Sequence, residues 1–224
     1  MWFSSIAINP QKRQGRALLT NRQEMHKAVL QAFPPHALEG SGERVLWRLD
    51  QENHAHTLYV VSPLEPDFTH IVENAGWISQ TWNSISYDSL LSKLVVGQQW
   101  GFRLQANPVK REFVKGGRGK VLPHVTPVQQ AQWLLDRSER LGFSIPEETD
   151  GAPAVAVTHR TDLQFGRHDE NLGGRRKQVT LRNVQFDGVL QVTDTSALRD
   201  ALTQGIGKGK AYGCGLMTLR RLSS

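Results

Sequence analysis

The sequence predicts an α+β protein with antiparallel sheets, arranged as two tandem units. Three observations carry that expectation. Short alternating apolar segments, bounded by glycine, proline or polar clusters, recur along the 224 residues and read as half-buried strands. Segments with helical periodicity stand between them. The element order in the first half is strand, helix, two strands, helix, strand, and the second half repeats it without residue-level similarity. That order is the ferredoxin-like plan, with the helices on one face of an antiparallel sheet.

Residues 2–8 form the opening strand. A helix follows, with Thr20 or Asn21 as N-cap and Gln23 or Glu24 three residues on, the capping-box spacing. Met25, Ala28, Val29, Ala32 and Phe33 fall on one apolar stripe, and Pro34-Pro35 ends the helix. Strands are expected at 44–49 and 57–62, and a short helix within 67–95 after Pro63 and Pro66 break the chain. The alternation of Trp100, Phe102 and Leu104 marks a half-buried strand over Gln99–Ala106, which closes the first unit.

Gly116-Gly-Arg-Gly119 reads as a flexible turn and sets the expected boundary between a unit at 1–115 and a unit at 120–224. Pro127 opens an amphipathic helix through Ala131, Trp133, Leu134 and Leu141, ending at Gly142. Strands at 154–165 and 177–192 flank a basic tip. A short helix covers Ser196–Gln204, and a last strand covers Leu216–Leu222.

Composition excludes several classes. The mean hydropathy of −0.43 and the absence of any apolar run near 20 residues argue against a membrane span. The opening residues lack the pattern of a secretory signal, and Cys214 is the only cysteine, so neither an internal disulfide nor a thiolate zinc cluster is expected. A cytoplasmic location follows from these readings. Residues 1–100 hold 8 Lys/Arg and 9 Asp/Glu, whereas residues 101–224 hold 19 and 12. That asymmetry is the footprint of a polyanion binder, although a merely solvated basic surface gives the same count.

The chemistry-bearing residues fall in four places. His26 sits beside the apolar stripe of the first helix, where a partly desolvated imidazole suits proton transfer near neutral pH; a structural histidine occupies such positions too. The run Gly205–Gly215 packs five glycines with Lys208 and Lys210, a backbone able to approach a phosphate closely. It contains neither GxxxxGK[ST] nor GxGxxG, and a plain structural turn is the competing reading. Arg103, Lys110 and Arg111 lead a basic segment that continues to Lys120. Arg160 and Arg167 on one strand, with Arg175, Arg176 and Lys177 on the next, make a basic hairpin that can press on duplex phosphates or remain a solvated loop. His54 and His56 share a strand face but lack a third ligand nearby, so no metal site and no cofactor is expected. RNA cleavage needs neither, because the 2′-hydroxyl attacks the adjacent phosphate once one group removes its proton.

These pieces resemble one family, the CasE-type endoribonucleases that process CRISPR transcripts. The resemblance rests on Met1-Trp-Phe3, Glu24–Pro34, Val45–Leu49, Phe102–Lys110, Val184–Leu190 and Gly205–Leu216, in this order. It implies two ferredoxin-like, RRM-like domains and an RNA partner, the hairpin of the CRISPR repeat. Metal-free cutting at the 3′ base of the stem would leave a 2′,3′-cyclic phosphate and a 5′-hydroxyl. The crRNA would then be held within the Cascade complex, whose other subunits are further partners. A non-catalytic repeat-binding subunit is the alternative. His26 falls at the position of the family's catalytic histidine, and the 158–178 hairpin at the element that contacts the stem. Members can carry a tyrosine three residues before the histidine; here Gln23 stands there. An amide cannot serve as a phenolic acid or base, which leaves Lys27, Arg22 or a basic residue of the glycine run to stabilise developing charge.

Overall fold

The computed structural model describes residues 1–40, 42–113, 116–117, 119–168 and 176–222, the side chains of 167, 168, 176 and 177 excepted. Its strands are β1 (Trp2–Ile8), β2 (Leu46–Glu52), β3 (Ala55–Ser62), β4 (Asn83–Ser86), β5 (Gln99–Ala106), β6 (Val109–Arg111), β7 (Val121–Pro123), β8 (Phe143–Ser144), β9 (Val155–His168), β10 (Arg176–Val192) and β11 (Met217–Arg220). Its helices are α1 (Arg13–Thr20), α2 (Arg22–Leu30), α3 (Thr69–Ala75), α4 (Asp88–Leu91), α5 (Pro127–Ser138) and α6 (Thr195–Gln204).

Two antiparallel sheets dominate, as the sequence predicts. The first has the order β2-β3-β1-β4, with Trp2 opposite both Ser62 on β3 and Ser86 on β4. The second has the order β11-β5-β10-β8, with β9 also paired to β10. The strand at 99–106 has the expected bounds, yet it joins the second sheet, with Leu104 opposite Phe186 on β10 and Met217 on β11. The fourth strand of the first sheet is instead β4, a four-residue segment whose sequence, Asn-Ser-Ile-Ser, carries almost no apolar signal. The sheets therefore divide the chain between Ser86 and Gln99, not at 116–119, where β6 and β7 pair with each other on either side. Alternation tells that a strand has a buried face; it does not tell which sheet supplies its partner.

The helix stripe behaves as read: Met25, Ala28, Val29, Ala32 and Phe33 are all buried against Trp47, Leu58 and Val60 of the first sheet. Asn21, not Thr20, caps α2, its side chain accepting from the N–H groups of Gln23 and Glu24. Regular helix ends at Leu30, and a tight turn over 31–33 precedes the prolines, because a residue before proline avoids helical angles. Ahead of α2 lies α1, which carries little local signal; its interior holds Gly15, a poor helix former, and it begins without a side-chain cap. A second core joins α5 and α6 to β5 and β10 and takes in Leu46 and Val61 from the first sheet, so apolar packing continues between the two sheets.

Candidate functional site

The glycine run folds into a loop whose five glycines, 205, 207, 209, 213 and 215, all have φ between 76° and 98°. At Gly213 the need is double: φ is 79°, and a Cβ would lie 2.6 Å from the Trp47 ring. The loop is tied to the end of β5 by the Gly215 N–H donating to the Gln105 carbonyl at 2.6 Å, and by a bridge between Asn107 and Lys208. Its short 3-10 turn, Lys210–Tyr212, packs against α2 and β2, and the Tyr212 ring lies 4.7 Å from that of Phe165 on β9. Sequence-distant pieces thus meet: the helix bearing His26 rests against the loop bearing Lys208 and Lys210, and against β9 at the foot of the basic ribbon.

His26 is half-buried, with Nδ1 enclosed and without a hydrogen-bond partner. Burial holds its pKa below the ordinary imidazole value, which favours the neutral ring at neutral pH. Gln23 is half-buried one turn earlier, and Lys27 is exposed and paired with Glu24 at 3.3 Å, a contact of little energetic weight. Lys208 is exposed. Lys210 is partly covered, and burial together with Arg44 lowers its pKa.

Lys110 and Arg111 are exposed on β6, which begins two residues beyond the Asn107–Lys208 bridge, so they extend the basic line away from the loop. Arg160 is exposed on β9 and donates to the Val125 carbonyl at 3.3 Å. Arg175 lies outside the described residues, as do the side chains of Arg167, Arg176 and Lys177; the hairpin that carries them pairs from Arg176 opposite His168 down to Gly188 opposite Val155. Arg103 is placed differently from its expected role on RNA. Its Nε donates to Asp187 at 2.6 Å and its Nη1 contacts Asp50 and Glu52, so three carboxylates surround the guanidinium in the seam between the sheets. Strand alternation puts Arg103 on the polar face of β5, and there the first sheet supplies Asp50 and Glu52 as partners while the side chain stays 29% exposed.

Arg22 is a further basic residue of α2. It lies four residues before His26, hence on the same side of α2, and it is buried. The spacing itself was the available signal. Among the described residues, no group of three or more His, Cys, Asp or Glu stands close enough together to hold a metal ion. Among the described residues, no helix is long and apolar enough to cross a membrane.

The fold and this arrangement define a tandem ferredoxin-like protein of the CRISPR-associated class, whose family model matches residues 1–221. The chain belongs to that family, in its CasE branch. It is 33% identical over 222 residues, 98% of this chain and 99% of its relative, to the CRISPR-associated endoribonuclease Cse3 of Thermus thermophilus. Over 138 residues, 58% of this chain and 62% of its relative, it is 32% identical to the CRISPR system Cascade subunit CasE of Escherichia coli. Among solved structures, Thermus thermophilus Cse3 bound to an RNA representing a pre-cleavage complex is similar at a TM-score of 0.80 and 31% identity, covering 98% of both chains. Cas6e of Escherichia coli, at 23% identity and a TM-score of 0.59 over 99% of this chain and all of that one, shares the fold.

Proposed function

We propose that this protein is an endoribonuclease that binds the hairpin of the CRISPR repeat and cuts precursor crRNA at the 3′ base of the stem. The observation that carries this is the near full-length match to an endoribonuclease whose relatives have been solved with RNA, joined to a histidine helix resting on a lysine-bearing glycine loop.

The chemistry is transphosphorylation. The His26 ring, neutral at working pH, accepts the proton of the 2′-hydroxyl through Nε2, since Nδ1 is enclosed. The 2′-oxygen then bonds to phosphorus, the bond from phosphorus to the 5′-oxygen breaks, and the departing oxygen takes a proton from solvent or from the imidazolium just formed. The products are a 2′,3′-cyclic phosphate and a 5′-hydroxyl, and no metal takes part. Lys208, Lys210 and the loop amides hold phosphate, while Lys110, Arg111, Arg160 and the basic hairpin grip the stem. The crRNA stays bound, and the protein joins Cascade as a subunit.

Gln23 favours a second reading, a repeat-binding subunit that does not cut, since an amide stands where the family resemblance implies a phenol. Incubating purified protein with hairpin RNA in EDTA separates the two. Cleavage with cyclic-phosphate ends supports the enzyme. Tight binding with intact RNA supports the subunit and overturns the proposed chemistry.

A further inference from the structure

Among the described residues, two arginines are nearly inaccessible, and they are treated oppositely. Arg48 has every nitrogen engaged: Nε and Nη2 on Asp50, Nη1 on the carbonyls of Arg103 and Leu216, and Nη2 also on Thr218. Arg22, 8% exposed, has Nε and Nη1 buried with no hydrogen-bond partner, and no carboxylate pairs with it among the described residues. Its guanidinium lies over the Trp47 ring at 5.6 Å, which offers a face but no acceptor for the N–H groups. The titratable group that acts on it is the Cys214 thiol, which burial pushes up to about 12, so it brings no negative charge at neutral pH. A buried cation left this way is costly unless something supplies the missing anion.

The same arginine lines a cavity of about 690 Å³. His54 and His56 come to it from the β2–β3 hairpin, His159 and Thr161 from β9, and Gln185 from β10. No aspartate or glutamate is among its described lining residues. With Nε and Nη1 enclosed, the guanidinium reaches this cavity through its remaining nitrogen, Nη2, and a cation set beside imidazoles, amides and hydroxyls, without a described carboxylate in the lining, is an environment for an oxyanion.

We propose that this cavity is a phosphate site with Arg22 as its principal donor, and that it takes the backbone phosphate next to the one presented to His26. The first part stands on the cavity alone; the second rests on the RNA reading above. One helical turn separates the two side chains, a spacing on the scale of successive phosphates along a strand.

The test uses Arg22→Met, which keeps length and removes charge, with Arg22→Lys beside it. Inorganic phosphate, titrated at constant ionic strength, raises the melting temperature of the wild-type protein, leaves Arg22→Met unmoved and acts weakly on Arg22→Lys. Without phosphate, Arg22→Met melts at or above the wild-type temperature, because an uncompensated charge has gone. Hairpin RNA carrying one neutral methylphosphonate at a time then distinguishes the sources. A single position near the cut lowers wild-type affinity roughly 10- to 100-fold and leaves Arg22→Met affinity unchanged by comparison.

A phosphate response without any such position assigns the site to free phosphate and overturns the RNA part alone. Equal phosphate responses in wild type and Arg22→Met overturn the site itself. A large loss of stability in Arg22→Met, with the wild type indifferent to phosphate, makes Arg22 a structural cation on Trp47 and overturns it as well. Should Arg22→Met not fold, Arg22→Lys carries the same comparison. Failure of the protein to bind any hairpin sinks the proposed function and leaves the phosphate arm readable.

Discussion

Arg48 and Asp50, two residues apart on β2, form a buried bidentate ion pair with Nε–Oδ1 at 2.7 Å and Nη2–Oδ2 at 2.9 Å. The pair faces the second sheet, and the remaining guanidinium donors reach across to the carbonyls of Arg103 on β5 and Leu216 just before β11. It works as a rivet through the seam between the sheets, with Arg103 and its carboxylates next to it.

Removing one half of that pair leaves the other charged and buried. Asp50→Asn is expected to destabilise the protein by about 3–5 kcal/mol, seen as a lower urea midpoint with unchanged slope. Replacing both residues with apolar ones of similar volume should recover most of the loss. A midpoint for Asp50→Asn within error of the wild type would contradict the rivet.

His26→Ala is expected to slow cleavage by about 10²- to 10⁴-fold while hairpin affinity changes little, measured by single-turnover cutting beside equilibrium binding. Wild-type cleavage should stay level through neutral pH and fall only below about 6.5, since burial holds the ring's pKa under the ordinary value. The sign for stability runs the same way. The unfolded chain takes the proton more readily, so the contribution is complete above about 6.5 and is lost as pH falls through the folded value. His26→Ala should flatten that part of the stability profile.

Hairpin binding should weaken steeply with salt, and each lost phosphate contact should reduce the slope of log affinity against log salt by roughly 0.7–0.9. Lys208→Ala, Lys110→Ala and Arg111→Ala are expected to show that decrement. Arg103→Ala is expected to leave the slope alone and to lower the melting temperature, because its charge is answered by Asp50, Glu52 and Asp187. A full slope decrement from Arg103→Ala would return it to the RNA surface.

Gly213→Ala meets both a left-handed backbone and the Trp47 ring, whereas Gly97, with φ of 89°, has open space around its Cα. Gly97→Ala is expected to cost about 1 kcal/mol from backbone strain, and Gly213→Ala at least about 2 kcal/mol. Thermal unfolding of the two variants checks the ranking. Equal melting temperatures would mean that Trp47 yields without cost.

Much of this architecture was readable from spacing. The stripe on α2, the bounds of β5 and the left-handed Gly142 that closes the 3-10 turn after α5 all follow from local rules, because periodicity and caps act within a few residues. The partnership of β5 with β10 was not readable, since it joins residues 80 or so apart (Ala106 and Val184 among them) through backbone pairing that leaves no local mark. Polar β4 hides for the same reason. At the site, His26 and the loop lysines could be named, but their proximity depends on how α2 seats against the 210–212 turn. Arg103 and Arg22 look like any other arginine in the sequence. Only burial shows that one is saturated and the other bare.

Strand β10 runs 17 residues without a break, from Arg176 at the outer ribbon to Val192 beside the core. At roughly 3.3 Å per residue, that is about 55 Å of continuous strand, anchored at its inner end to β5 and through β5 to the glycine loop. The ribbon is thus an arm of set length, with one register shift against β9 between Gln185 and Phe186. Two residues added to each of its strands would lengthen the arm by about 7 Å with every side chain still turned the same way, whereas one added residue would invert the grip. On the proposed function, paired insertions of this kind would change the reach of the ribbon along an RNA stem while leaving α2 and the glycine loop untouched.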